Sequence, residues 1–208
     1  MRSARGMFTA VVLLSLILVP SIDAAASSPR SHDGGFFLRL SAGFGHASSK
    51  VEESGESLEF SGGSGDVNFA IGGMVTPNLA LHATLIGWLT TGPEIKICDG
   101  RCETGSDENL DFSLSGFGGG LTYYVMPSNF YLTASICAAK TTMTYDNMDR
   151  DSDYGPAIDI GVGKEWWVSD SWGLGVAGGF GYHSVSDPDF DPNWSGPSFA
   201  VRFSASYN

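Results

Sequence analysis

The residues best placed to do chemistry in this chain are a histidine with two serines beside it, His183-Ser184-Val185-Ser186. A serine-type hydrolase needs a nucleophilic hydroxyl, an imidazole base within hydrogen-bond reach, and an acid that orients the imidazole. The segment lies where apolar and small residues alternate, and on a strand residues two apart share a face. His183 then shares its face with Val185, while Ser184 and Ser186 lie opposite. The pattern separates base from nucleophile, and His183 reads as an ordinary polar residue near a rim.

Metal chemistry fares no better. Asp146, Asp149, Asp151 and Asp153 place carboxylates in one short segment, as a Ca²⁺ loop does, but the Gly at the sixth position and the distal bidentate Glu of an EF-hand are missing. A solvated acidic loop is the expectation there. The histidines His32, His46, His82 and His183 show no ligand spacing. No metal site and no cofactor are expected. Cys98 and Cys102 flank Asp-Gly-Arg in a polar loop, and a disulfide is the natural reading, with a pair of free thiols as the alternative. Cys137 stands alone in a strand and reads as a small lumenal filler.

The compartment follows from the first residues. Arg2 and Arg5 precede an apolar run from Met7 to Val19 and then Ala24-Ala25-Ala26, which is the pattern of a secretory signal peptide. Cleavage after Ala26 is expected, dividing the chain into a signal peptide, 1–26, and one mature domain, 27–208. No later segment has the about 20 apolar residues that a spanning helix needs. The chain holds 28 Gly, is 12% aromatic and is only 16% charged, where soluble domains average about 25% charged. Its net charge of −12 argues against nucleic acid as a partner.

From Phe36 onward the pattern has period two, and no helical period is sustained. Phe36, Leu38, Leu40, Ala42 and Phe44 share one face of the first strand, and Phe199, Val201, Phe203, Ala205 and Tyr207 share one face of the last. Between them the alternation predicts strands near 65–75, 79–91, 109–125, 130–144, 154–168 and 172–185, eight in all. The apolar parity changes within Gly116 to Gly120, which predicts a bulge. Three connections are tight, Thr76-Pro77-Asn78, Pro127-Ser128-Asn129 and Ser169-Asp170-Ser171, and four are long and polar, at about 47–64, 92–108, 145–153 and 186–194. Short turns alternating with long loops over an even strand count predict an all-β, eight-stranded antiparallel up-and-down transmembrane β-barrel.

Aromatic residues gather at the tight-turn end: Tyr123, Tyr124, Phe130, Tyr131, Trp166, Trp167, Trp172 and Tyr207. They predict an interfacial girdle, best represented by Tyr123, Phe130, Trp166, Trp172 and Tyr207, with Trp88, Tyr154 and Tyr182 as the opposite one. The alternative is that these rings plug the bottom of a soluble barrel. The second face of each strand decides between lipid and water. It carries Gly, Ser, Ala and Thr with scattered charges, Arg39, Asp66, Asp159, Glu165 and Arg202, where a soluble barrel would need a charged coat. Those five charges are therefore expected in the lumen, paired across it. Lys164 falls on the apolar parity, so it either snorkels to the interface or marks a bulge at Gly163.

The hairpin from Gly120 to Leu132, with Tyr-Tyr-Val-Met-Pro-Ser-Asn-Phe-Tyr at its turn, and the segment Gly163-Lys-Glu-Trp-Trp-Val-Ser-Asp-Ser-Trp-Gly-Leu-Gly175 resemble the small outer-membrane β-barrel family that includes OmpW-like and OmpA-like barrels. The resemblance spans about Phe36 to Asn208, and it departs at the C-terminus, which ends Tyr207-Asn208 where such barrels end on an aromatic residue. It implies a monomeric protein in the outer membrane of a Gram-negative bacterium, inserted by the barrel-assembly machinery among outer-membrane lipids and lipopolysaccharide. Divalent ions bridging Asp187, Asp189 and Asp191 to lipopolysaccharide phosphates fit that setting. A structural or narrow passive-transport role is expected, not a general porin and not an enzyme. The competing readings are a barrel-embedded lipid A-modifying hydrolase and a soluble secreted lipocalin-like ligand-binding barrel.

Overall fold

The computed structural model describes residue 32 and residues 35–146, 148–187 and 190–207, with the side chains of 190–192 left out; the expected signal peptide and cleavage point lie outside these residues. The described residues form eleven antiparallel strands: β1 (Phe36–Glu53), β2 (Glu56–Thr76), β3 (Leu79–Thr91), β4 (Glu94–Asp99), β5 (Arg101–Ser106), β6 (Leu110–Val125), β7 (Phe130–Tyr145), β8 (Met148–Asp151), β9 (Gly155–Trp167), β10 (Trp172–Asp187) and β11 (Phe190–Tyr207). Eight of them close a ring in the order β1-β11-β10-β9-β7-β6-β3-β2, and β1 pairs back to β2. Closure satisfies every strand edge within the ring, the condition for spanning hydrocarbon with strands.

Where long polar loops were expected, the strands run on. The stretch 47–64 is a continuous β1–β2 ladder turned at Ser54 (φ 52) and Gly55 (φ 95), two positive-φ residues as a type I′ turn requires. Residues 92–108 fold into their own hairpin, β4–β5, which pairs with the upper half of β2, and β8 pairs with the top of β7. The polar residues of these segments had read as loop because the ladder above a membrane faces water on its outer side and loses the apolar alternation. The tight turns behave as expected, two of them using Asn78 (φ 68) and Asn129 (φ 56) in the left-handed region that Asn tolerates.

The outward face of the ring is a belt of large apolar side chains, including Phe44 (64% exposed), Leu85, Ile136, Val162, Phe199 and Phe203. A belt this continuous is tolerable only in hydrocarbon, which rules out the soluble lipocalin-like barrel. Tyr123, Phe130, Trp166 and Trp172 are exposed on its tight-turn rim, and Tyr207 stacks edge-on against Trp172 there. Three aromatics point the other way: Tyr124, Tyr131 and Trp167 turn into the lumen, since each neighbours an outward residue on the same strand. Trp88 is also buried inside, so of the residues assigned to the opposite girdle only Tyr154 and Tyr182 are exposed.

The predicted bulge at Gly116–Gly120 does not exist, because β6 keeps unbroken register with β3 and β7 throughout. The parity change has a different cause. Leu110, Phe112 and Leu114 point inward into an apolar plug above the membrane, and Phe117, Leu121 and Tyr123 point outward into lipid. Gly163 is likewise regular; Lys164 faces outward and reaches the turn, donating to the Ser128 carbonyl at 3.0 Å.

Candidate functional site

The place where polar chemistry concentrates is the lumen, and its middle tier is built around Arg202. Inward positions on β2, β9 and β11 bring Asp66, Asp159 and Arg202 to one level although they lie far apart in sequence. The guanidinium forks onto both carboxylates: Nε and Nη2 donate to Asp66 at 2.5 and 3.0 Å, and Nη1 and Nη2 donate to Asp159 at 2.9 and 2.7 Å. Asn68 donates a further bond to Asp159 at 3.2 Å. A planar fork matched to two carboxylates is the arrangement in which an Arg outperforms a Lys. The sheet makes room for it with glycine: a Cβ on Gly179 would lie 2.9 Å from Arg202 Cζ.

The other two expected lumenal charges are buried but are not paired with each other. Arg39 donates through Nη2 to Thr122 at 3.2 Å and Thr133 at 3.0 Å, and its guanidinium carbon lies 4.7 Å from the Tyr131 ring centroid. Glu165 accepts from Ser206 at 2.6 Å and from Tyr124 at 3.3 Å. Hydroxyls and an aromatic face therefore take the place of cross-lumen ion pairs, a substitution that period-two spacing does not reveal. His82 joins the same layer through Thr84 at 2.8 Å and Thr122 at 3.0 Å.

Below and above this polar layer the lumen is stoppered. At the tight-turn end, His32 stacks on Tyr124 with ring centroids 3.6 Å apart and shares a 2.6 Å hydrogen bond with Asn129. At the loop end, Phe60, Phe112 and Trp194 stack with Trp88 beside them, at centroid separations of 5.1 to 5.7 Å, inside an apolar cluster that includes Leu110, Leu114 and Val185. The gap left beside Arg202, Trp88 and His183 holds ≈ 20 Å³, little more than one water.

One serine–histidine contact does form, and not where the sequence placed it. His183 Nε2 and Ser49 Oγ share a 2.9 Å hydrogen bond across the β10–β1 side of the lumen, and both residues are buried. Ser49 sits in a stretch that had read as loop, so nothing in the local pattern pointed to it. Ser184 and Ser186 bond instead to Asn193. With both residues buried and the Trp88 ring 5.8 Å from that of His183, the pair offers no approach to a substrate carbonyl.

Above the membrane the crown is held by polar ladders and one covalent link. Lys140 pairs with Asp151, Thr142 donates to Asp151 at 2.6 Å, and Thr144 donates to Asp149 at 2.7 Å, which fastens β8 to β7. The Lys140 ammonium holds the Asp151 carboxyl below its usual range. Two of the four aspartates, Asp149 and Asp151, are thus taken up by hydrogen bonds of a β7–β8 ladder, where the sequence had suggested a loop.

Cys98 and Cys102 face each other across β4–β5 with Cα atoms 4.1 Å apart and are disulfide-bonded, the tight approach allowed by Gly100 (φ 64) at the tip; Cys137 is free and buried. Labelling with a maleimide should therefore give no adduct on the folded protein, two after reduction, and three only after unfolding, read by mass. A native adduct at Cys137 would mean an open lumen.

No protein-family model matches the sequence, and no curated protein matches it either. Solved structures do. Neisserial surface protein A is similar with a TM-score of 0.56 and 14% identity, covering 83% of this chain and 96% of that one. OprG from Pseudomonas aeruginosa aligns at a TM-score of 0.44 and 14% identity over 85% of this chain and 98% of its own, and Ail of Yersinia pestis at 0.42 and 10% over 81% and 97%. At these identities the first likeness speaks to fold alone. Joined to the closed eight-strand ring and its apolar belt, it gives this chain the fold of a small eight-stranded transmembrane β-barrel.

Proposed function

We propose that this protein serves the outer membrane as a sealed, non-catalytic structural barrel rather than as a conduit. The observation that carries the reading is the filled lumen: an aromatic stopper at the tight-turn end, the Arg202 carboxylate clamp across the middle, and the Phe60–Phe112–Trp194 stack above. An eight-strand ring has an interior only wide enough for side chains, and here they occupy it. A narrow passive-transport route would have to displace charges fixed by four hydrogen bonds to one guanidinium. We take the working unit to be a monomer among outer-membrane lipids and lipopolysaccharide, placed there by the barrel-assembly machinery. Catalysis on lipid A is disfavoured because the Ser49–His183 pair faces the lumen, away from the belt where a lipid would present its ester.

Planar-bilayer recording tests the reading. The purified folded protein should leave the membrane at baseline conductance at neutral pH. Discrete single-channel steps from the wild-type protein would replace the structural reading with narrow passive transport.

A further inference from the structure

The outer face of the barrel carries a feature that a uniform apolar belt does not need. At the tight-turn end, Lys164 is the one outward-facing cation among the described residues. Its Nζ donates to the Ser128 carbonyl at 3.0 Å and lies 4.6 Å from the Phe130 ring centroid and 5.9 Å from that of Trp166. An ammonium carries three donors, so two remain for an anionic oxygen at the depth of the aromatic rim.

Immediately toward the membrane centre the belt is notched. Two residues up β9 from Lys164 stands Val162, and opposite it on β10 is Gly178, an outward glycine with nothing within 4 Å of where its Cβ would be. Leu132 on β7 and Val201 on β11 flank this level, and the Phe180 and Phe199 rings, 5.1 Å apart, close it from above. The missing side chain opens a trough of ≈ 760 Å³ on the lipid face. Its volume falls within the range of about 300–1,000 Å³ of small-molecule sites, and apolar side chains wall it.

We propose that this is a binding site for one anionic phospholipid of the leaflet at the tight-turn end, the periplasmic side in transmembrane barrels, with a phosphate oxygen on Lys164 Nζ and an acyl chain lying in the trough over Gly178. The inference rests on the belt lying in hydrocarbon. Charge complementarity chooses the ligand: a cation at headgroup depth directly below an apolar trough matches a lipid that carries a net negative head and a chain continuous with it. Trp166 and Phe130 frame the headgroup end, where amphipathic rings favour the interface.

Native mass spectrometry of the detergent-solubilised, folded chain tests this, with equimolar phosphatidylglycerol and phosphatidylcholine of identical acyl chains as probes. Wild-type protein should retain phosphatidylglycerol as a single adduct in preference to phosphatidylcholine. Lys164→Gln should lower that preference about five-fold, the effect of one surface cation on an anionic lipid, and Lys164→Arg should keep it. Gly178→Leu, whose Cβ has open space around it and whose branched end fills the notch, should reduce retention of both lipids. Equal retention of the two lipids by the wild type, an unchanged preference in Lys164→Gln, full retention in Gly178→Leu, or a protein dimer in place of the lipid adduct would each overturn the site. Every variant is first shown to be folded by its heat-modifiable gel mobility. A wild-type chain that stays soluble and unshifted without detergent would instead remove the membrane-spanning barrel itself, a distinguishable failure.

Discussion

Arg202→Met should destabilise the barrel by about 3–5 kcal/mol, the cost of removing one partner from a buried ion cluster and leaving the others uncompensated. The size follows from what remains. Asp66 and Asp159, both buried, would face each other across a space that now holds a thioether, with no donor to replace the four guanidinium bonds. Two like charges so placed repel each other with no cation between them to offset the cost of their burial. The triple variant Asp66→Asn, Asp159→Asn, Arg202→Met removes the charges together and should recover most of the loss, since a buried cluster is worth little against a well-packed neutral replacement. Urea unfolding in lipid vesicles, followed by gel mobility, reads both results. A single variant that unfolds at the wild-type midpoint would mean that the clamp does not hold the lumen.

The second large effect lies on the opposite face. Leu85 sits at the centre of β3, 54% exposed, and Leu85→Arg should cost about 2–4 kcal/mol, because it places a guanidinium near the bilayer midplane. On a water-facing barrel the same change at a half-exposed site would be close to neutral. Thr91→Arg, at the end of the same outward row and exposed, should cost about 0–1 kcal/mol, as expected near the interface. The difference between the two positions, measured by the same unfolding assay, reports hydrocarbon directly. Equal costs would argue that the belt is not in lipid.

The two predictions describe one division of labour. The outward face keeps the barrel in the membrane through side chains that need no partners. The inward face keeps it shut through side chains that need each other. The crown of β1, β2, β4, β5, β7 and β8 continues the ring's ladders beyond the belt into water. The trough over Gly178 is compatible with this, because it lies outside the ring and needs no opening of it.

Period-two alternation, read from residues alone, determined the eight strands of the ring, its tight turns, and the inward placement of Arg39, Asp66, Asp159, Glu165 and Arg202, but not the extension of the ladders into β4, β5 and β8. It did so because a strand's side-chain parity is a local property, set by the pleat whatever the partner strand. The change of parity around Gly116–Gly120 was visible as well, but its cause was not: a bulge and a switch from an apolar lumen to an apolar belt leave the same trace in the sequence. Only the tertiary structure decided which inward residues meet. Closing the ring puts Arg202 against Asp66 across 136 residues of chain and His183 against Ser49 across 134. It likewise gives Arg39 a tyrosine face and two hydroxyls where an ion pair had been expected. Those contacts depend on the stagger between strands far apart in the chain, and stagger is fixed by closure of the whole barrel, which no single strand encodes.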